Sequence, residues 1–305
     1  MDAQGRHRTA ARVVARRCGC SLGDPGTTRP GYQCCLDGLH RRRDRVVDLS
    51  GPPQDRFGRG RPGQPSEPVD TLSPITQLKK CPAMQFSCYL KGLLRPNGKT
   101  HFMLRLDSRA SILDVGCGNN SPFQVKSILP GSTYTGVDVG DYNQTKPNKA
   151  DRYIITSPAG FTDALRQFHE EFDAVVSSHN IEHCDDREGT FNAMLRATKL
   201  GGKVYVSFPC AASVRFPPRA GTLNYYDDST HKNMPPDFDG MVEVLGRSGF
   251  RIEHAARHHR PALFWLLGLL VEPVSRWRKR VMRGTWELYG FESIIIAKKI
   301  GRDAA

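Results

Sequence analysis

The sequence predicts an α/β protein built on a doubly wound, mostly parallel sheet of seven strands. From Ser111 onward, short apolar segments alternate with amphipathic ones. This alternation is typical of a parallel sheet covered by helices on both faces. A glycine-rich turn follows the first apolar segment, and a long polar segment follows the fifth. Ligands of such sheets bind at the carboxyl ends of the strands, so both segments are candidate parts of a binding site.

The elements follow one another along the chain without an internal repeat. Strands are predicted at residues 112–115, 134–139, 153–156, 172–177, 203–208, 251–254 and 293–298. Helices are predicted around residues 122–129, 162–168, 190–198 and 238–246. Residues 258–285 form an insertion between the last two strands.

Residues 1–80 differ in character from the rest of the chain. They are rich in Arg, Gly and Pro and show neither helical nor strand periodicity, so they lack the apolar surface that a packed core requires. We interpret them as a disordered segment or as a non-native extension, in which case translation begins near Met84. A mitochondrial-type targeting segment is a weaker interpretation. Residues 81–305 form the predicted catalytic domain.

Composition limits the function classes only loosely. The formal net charge is +13, but the Arg-rich first 80 residues carry much of it, so the total does not indicate nucleic-acid binding. The nine cysteines have no metal-ligand spacing, and no metal ligand is assigned. The longest apolar run, residues 261–271, is too short to span a bilayer. We expect a cytoplasmic protein, with peripheral membrane contact as an alternative.

The most informative segment is Ile112-Leu-Asp-Val-Gly-Cys-Gly-Asn-Asn-Ser-Pro-Phe123. An apolar strand is followed by Asp114, a turn containing Gly116 and Gly118, and a helix start at Ser121. Glycines allow a ligand to approach the backbone closely. The dinucleotide-binding pattern has no acid in this place and has a third glycine. An acid before the turn instead suits a ligand with a cationic amino group.

This segment resembles the first motif of class I S-adenosylmethionine-dependent methyltransferases, and the resemblance covers most of residues 111–299. Gly136-Val-Asp-Val139, Phe172-Asp-Ala-Val-Val-Ser-Ser-His-Asn-Ile-Glu-His183 and Leu200-Gly-Gly-Lys-Val-Tyr-Val-Ser-Phe-Pro209 are similar to later motifs of that family, in the same order. The resemblance implies S-adenosyl-L-methionine as the cofactor. It implies cofactor contacts from Asp114, Gly116, Gly118 and Asp138 (to the ribose), and His179 is a further candidate contact. The family often has an acid after the third strand that contacts the adenine, whereas this sequence has Thr156-Ser157-Pro158 there; we expect Ser157 or the backbone to make that contact. Asn120 replaces the third glycine of the family's first motif, so we expect slightly different packing there.

Two regions supply catalytic candidates. His179 ends the fourth strand, where it would act as general base or contact the methionine moiety. Asp228 and His231 lie in the polar segment 221–235, whose acids and histidine could form a base, a sugar-binding set or a metal site. The fourth strand is not followed by the Asn/Asp-Pro-Pro-Tyr/Phe pattern of base-directed methyltransferases, which disfavours nucleic acid as the acceptor.

The combined interpretation is a methyltransferase acting on a small-molecule, glycan or lipid-linked hydroxyl, similar to bacterial enzymes of glycan and secondary metabolism. The alternatives are a noncatalytic methyltransferase-like protein and a nucleic-acid methyltransferase. Residues 261–283 join an apolar run to a basic, Trp-bearing one. They are interpreted as an interfacial helix, as a helix packed on the domain or an oligomer partner, or as a nucleic-acid clamp.

Overall fold

The sheet has the predicted class and strand number. The computed structural model describes residues 90–142 and 144–301, together with the backbone of Val46–Val47. Its strands are β1 (Ser111–Val115), β2 (Thr133–Asp138), β3 (Arg152–Ile155), β4 (Phe172–Ser178), β5 (Thr198–Pro209), β6 (Phe250–Ala256) and β7 (Glu292–Lys299). They are arranged in the order β3-β2-β1-β4-β5-β7-β6, and only β7 runs antiparallel to its neighbours. Val46–Val47 adds two residues antiparallel to β3.

Helices cover both faces of the sheet. They are α1 (Lys99–Met103), α2 (Ser121–Ile128), α3 (Phe161–Arg166), α4 (Arg187–Ala197), α5 (Phe238–Arg247), α6 (Ala262–Trp277) and α7 (Thr285–Tyr289). One buried apolar cluster joins the sheet to α3, α4 and α5, and a second joins the opposite face to α1 and α2. The alternation of strands and helices in the sequence reflects these two cores.

The seven predicted strands and four predicted helices are confirmed, with small differences at their ends. The largest difference is in β5, which begins at Thr198 rather than at residue 203. Gly201 lies in this extension with a φ of 79°, and the pairing of β5 with β4 is irregular there. The predictions for residues 1–80 concern a segment that, apart from Val46–Val47, lies outside the described residues.

The insertion contains α6 and is followed directly by α7, and polar contacts hold α6 on the domain. The guanidinium of Arg219 donates to both carboxylate oxygens of Glu272, at 2.5 and 2.7 Å, and to Oγ of Ser275 at 2.8 Å. Gly268 of α6 lies against the backbone of Gly284, so any larger residue at 268 would clash. None of the described helices is long and apolar enough to cross a membrane.

Candidate active site

The turn after β1 has the conformation that its glycines permit. Gly116 and Gly118 have φ values of 71° and 56°, in the left-handed region that side chains disfavour. A Cβ at Gly116 would lie 2.2 Å from the side chain of Asn180, whereas a Cβ at Gly118 would meet no atom within 4 Å. Gly116 therefore permits a close internal contact, and Gly118 leaves its side of the turn open.

Asn120, which replaces the family's third glycine, also adopts a positive φ of 66°. Asparagine tolerates this region better than most residues. Its backbone N–H donates to Oε1 of Gln144 at 2.7 Å. Its side chain forms hydrogen bonds with the hydroxyl of Thr145 and the backbone N–H of Lys146. Gln144 in turn donates to the carbonyl of Gly118 at 2.8 Å. Residues 144–146 therefore stabilise the glycine turn through these hydrogen bonds.

Asp114 is fully buried, and its carboxylate is already bonded within the protein. Its Oδ2 accepts hydrogen bonds from Ser121 at 2.6 Å, Tyr134 at 2.8 Å and the ammonium of Lys99 at 2.9 Å. Lys99 also donates to Oγ of Ser121 at 2.9 Å. Asp114 thus fixes the cation of Lys99 and the first residue of α2 beside the glycine turn.

Asp138 ends β2 and faces the same turn. Its Oδ2 accepts the amide N–H of Gly118 at 2.6 Å, and its Oδ1 accepts that of Val139 at 2.7 Å. Burial raises the pKa of the Asp138 carboxyl, although these backbone bonds oppose the rise. Each carboxylate oxygen retains a further lone pair, which a hydroxyl donor can use.

Ser157 follows β3 at the carboxyl edge of the sheet and is exposed. Its Oγ accepts the amide N–H of Gly160 at 3.1 Å, which shapes the turn before α3. The hydroxyl hydrogen is available to a ligand. The position suits the predicted adenine contact, which stays a prediction.

His179 follows β4 with a strained backbone and two acidic partners. Its φ is 52°, which is rare for a residue with a side chain. Nδ1 lies 3.2 Å from Oε1 of Glu182, and Nε2 lies 3.2 Å from Oε1 of Glu292. Burial alone would lower the pKa of His179, but the two carboxylates raise it to about 10. His179 therefore carries a proton at neutral pH.

The ion pair extends to the other side of Glu292. Arg95 donates to its Oε2 at 2.8 Å and also contacts Glu287 at 3.2 Å. Burial would raise the pKa of Glu292, yet its bonds to His179 and Arg95 lower it to about 2. The buried carboxylate is therefore ionised and compensated by two cations.

Asp228 and His231 of the polar segment 221–235 lie close together. Oδ2 of Asp228 is 3.9 Å from Nε2 of His231. The Nδ1 of His231 is 2.6 Å from the carbonyl of Tyr225. Ligand atoms of His231, His183 and Glu182 all lie within 4.8 Å of one another. Glu182 therefore links this pair to His179.

A cavity of about 510 Å³ lies between residues 91–100 and the insertion. Lys99 and Arg95 line it on one side, and Phe264, Arg283 and Trp286 line it on the other. The ring of Trp286 packs on His179 with a centroid distance of 5.1 Å. The cavity therefore borders both the glycine turn, through Lys99, and the end of β4.

The sequence analysis missed Lys99, Arg95 and Glu292 as parts of this site. Lys99 and Arg95 precede the first recognisable motif, and Glu292 begins the last strand. Only the sheet order, which places β7 beside β5, brings Glu292 near the end of β4. Glu182 and His183 were visible as the Glu-His pair after the fourth strand, but no role followed from them.

The fold is that of a class I S-adenosylmethionine-dependent methyltransferase, as the motifs predicted. A family described as a methyltransferase domain matches residues 89–292, which is more than half of the chain. The chain therefore belongs to that family, and S-adenosyl-L-methionine is its cofactor.

Several curated proteins are similar over about a third of the chain. A ubiquinone biosynthesis O-methyltransferase from Pseudomonas putida (strain GB-1) is 31% identical over 115 residues, which is 33% of this chain and 47% of that enzyme. An uncharacterised protein from Methanocaldococcus jannaschii is 29% identical over 111 residues, 34% of this chain and 30% of that protein. The chain thus spans less than half the length of these relatives.

Among solved structures, a SAM-dependent methyltransferase from Archaeoglobus fulgidus is 20% identical, with a TM-score of 0.42 over 69% of this chain and 93% of that one. A methyltransferase from Haloferax volcanii, in complex with a methyltransferase activator, is 11% identical. Its TM-score is 0.48, and the match covers 72% of this chain and 94% of that one.

Proposed function

We propose that this protein transfers the methyl group of S-adenosylmethionine to a hydroxyl of a small-molecule, glycan or lipid-linked acceptor. The acceptor oxygen attacks the methyl carbon, the carbon–sulfur bond breaks, and the sulfonium becomes the thioether of S-adenosylhomocysteine. The hydroxyl proton passes to a base. The observation that carries the proposal is the cavity. It is lined by Lys99, which bonds to Asp114 before the glycine turn, and by Trp286, which packs on His179 after β4.

We propose that the cofactor lies along the open side of the glycine turn. Asp138 is proposed to accept the ribose hydroxyls, and Ser157 to meet the adenine. Asp114 already has three donors of its own, so we assign it an indirect part: it holds Lys99, whose ammonium suits the cofactor's carboxylate. Such a placement mainly supplies proximity and alignment, which methyl transfer requires.

His179 has a different proposed role from Asp228 and His231, which lie in the loop after β5. With a pKa of about 10, His179 keeps its proton at neutral pH and cannot take one from the acceptor. We therefore assign His179 to positioning the cavity wall through Trp286. The base is assigned to His231, assisted by Asp228: Nδ1 of His231 donates to the carbonyl of Tyr225, so Nε2 is the ring nitrogen that can accept a proton.

The charge of the cavity supports an acceptor with an anionic group. Lys91 and Arg283 line the cavity in addition to the paired Arg95 and Lys99, while Glu287 is the one acid among its lining residues. Phosphate or carboxylate would complement this surface. The related ubiquinone enzymes are O-methyltransferases by name, which supports oxygen as the acceptor atom.

The insertion supports contact with an amphipathic acceptor or a membrane surface. Leu263, Leu266, Leu270, Val274 and Trp277 are exposed and lie three or four residues apart, so they share one face of α6. The following basic residues Arg276, Arg278, Lys279 and Arg280 are also exposed. An apolar face beside cations suits an anionic lipid surface. Assembly through this face is the competing interpretation.

The test is methyl transfer from S-adenosylmethionine carrying a labelled methyl group. We expect label in neutral or anionic hydroxyl acceptors, with anionic ones preferred, and none in duplex or single-stranded nucleic acid. Cofactor binding without transfer to any member of a broad acceptor panel would favour the noncatalytic alternative. Label in nucleic acid would replace the proposal with the nucleic-acid alternative.

A further inference from the structure

The residues after β4 and β5 form a cluster of metal-ligand character. Glu182 and His183 belong to the single helical turn Ile181–His183, and Asp228 and His231 belong to the loop after β5. Ligand atoms of Glu182, His183 and His231 lie within 4.8 Å of one another. In a tetrahedral zinc site with bonds of about 2.0–2.1 Å, ligand atoms are about 3.4 Å apart. Closing the cluster on an ion thus requires only small side-chain movements.

Hydrogen bonds fix both histidines in the tautomer that a metal needs. The hydroxyl of Thr230 donates to Oδ1 of Asp228 at 2.6 Å, so it accepts at 2.9 Å from Nδ1 of His183. Nδ1 of His231 donates to the carbonyl of Tyr225. In the neutral form of each ring, Nε2 is therefore the nitrogen with the lone pair. A metal-bound histidine commonly donates its other N–H to a carbonyl or a similar acceptor in this way.

The carboxylates provide the independent observation. Glu182 is fully buried, and its Oε2 has no hydrogen-bond partner among the described residues. Its Oε1 is taken by His179. A buried carboxylate oxygen without a partner is costly unless a ligand satisfies it. Oδ2 of Asp228, 3.9 Å from Nε2 of His231, faces the same cluster.

We propose that Glu182, His183 and His231, with Asp228 as the fourth ligand, bind one divalent transition-metal ion, zinc being the best match. Two imidazoles and two carboxylates suit zinc better than magnesium or calcium, which prefer oxygen ligands alone. The ion ties the loop after β5 to the end of β4. If the proposed methyl transfer holds, an acceptor hydroxyl that displaces Asp228 from the ion would lose its proton more readily, and the released carboxylate of Asp228 would take up that proton, because Nε2 of His231 is then a ligand and no longer the base.

Calorimetry on the full chain, stripped with a chelator and titrated with ZnCl2 without cofactor, tests the site. We expect one ion per chain that is lost, or bound more than about tenfold more weakly, in His183→Gln and His231→Gln. His169→Gln is the matched control, because His169 is exposed and distant in sequence from the cluster. Circular dichroism shows whether each variant is folded.

Several results would overturn the proposal. The proposal fails if the parent binds no zinc, if both cluster variants bind zinc as tightly as the parent, or if the parent binds MgCl2 in preference to ZnCl2. Equal binding would place the ion elsewhere, for instance on the cysteines of residues 1–80, and the Co2+ absorption spectrum would then show thiolate ligation. The zinc titration contains neither cofactor nor acceptor, so its outcome does not depend on methyl transfer. A negative titration would refute the zinc site alone, and a negative methyl-transfer assay would refute the proposed function alone.

Discussion

The ammonium of Lys99 lies 2.9 Å from Oδ2 of Asp114, which is fully buried. A charged pair of this kind is costly to break, because the remaining carboxylate loses its compensating cation. Lys99 begins α1, so this bond also connects α1 to the strand that precedes the glycine turn. Asp114 therefore stabilises the start of the glycine turn and binds Lys99, a cation that lies outside the first motif.

Replacing that cation should affect both folding and cofactor binding. We expect Lys99→Met to lower the free energy of unfolding by about 1.5–3 kcal/mol, the range for hydrogen bonds to charged groups, and to weaken S-adenosylmethionine binding. Urea unfolding and calorimetry measure the two effects. Lys91→Met is the control, since Lys91 lines the same cavity without contacting Asp114. Unchanged cofactor affinity in Lys99→Met would remove Lys99 from the cofactor site.

Asp138→Ala should weaken cofactor binding by about 1.5–3 kcal/mol, because the ribose hydroxyls lose a charged acceptor. The exposed Asp141, three residues later, provides the comparison: Asp141→Ala should bind the cofactor as the parent does. Calorimetry with S-adenosylmethionine measures both variants. Parent-like affinity in Asp138→Ala would show that the ribose lies elsewhere.

The two glycines of the turn should respond differently to alanine. At Gly118 the new methyl group meets no protein atom, so we expect only about 1–2 kcal/mol of backbone strain, with a larger loss of cofactor affinity. At Gly116 the methyl group collides with Asn180, so destabilisation should dominate. Thermal unfolding and cofactor titration separate the effects. A Gly118→Ala protein with full affinity would contradict the proposed approach of the cofactor to this turn.

The two carboxylates around His179 predict a pH dependence of stability. Its pKa rises from an ordinary value of 6.5 to about 10 on folding. The stabilisation is therefore fully present below about pH 6.5 and is lost as the pH rises through about 10. We expect the unfolding free energy of the parent to fall toward that of His179→Gln between these limits. Urea unfolding at a series of pH values gives this difference; a constant difference would show that His179 is neutral in the folded protein.

Exposed leucines on α6 should mediate binding to anionic vesicles. Each basic residue near such a surface adds about 1 kcal/mol of attraction, weakened by salt. We expect co-sedimentation with phosphatidylserine-containing vesicles at low salt, less at high salt, and little for Leu266→Asp or Leu270→Asp. Leu200→Asp is the matched control, because Leu200 is similarly exposed outside the insertion. A stable dimer on a sizing column without vesicle binding would instead make the apolar face an oligomer contact.

Local patterns in the sequence were sufficient for the fold class, the positions of the strands along the chain and the glycine turn. Each of these depends on residues close together in the chain, such as the alternation that buries one face of a helix or the glycines that permit a positive φ. Asn120 shows the same locality: it occupies the place of the family's third glycine, and it has a positive φ of 66°.

The electrostatics of the site were decided only by tertiary structure. His179 was interpreted from the sequence as a general base or as a contact to the methionine moiety. Its protonation depends on Glu292, which lies more than a hundred residues later and reaches it because β7 inserts beside β5. The His183–His231 cluster likewise joins loops from two strands. Spacing along a chain predicts local conformation, whereas charge–charge contacts between distant segments depend on the sheet order that brings them within a few ångströms.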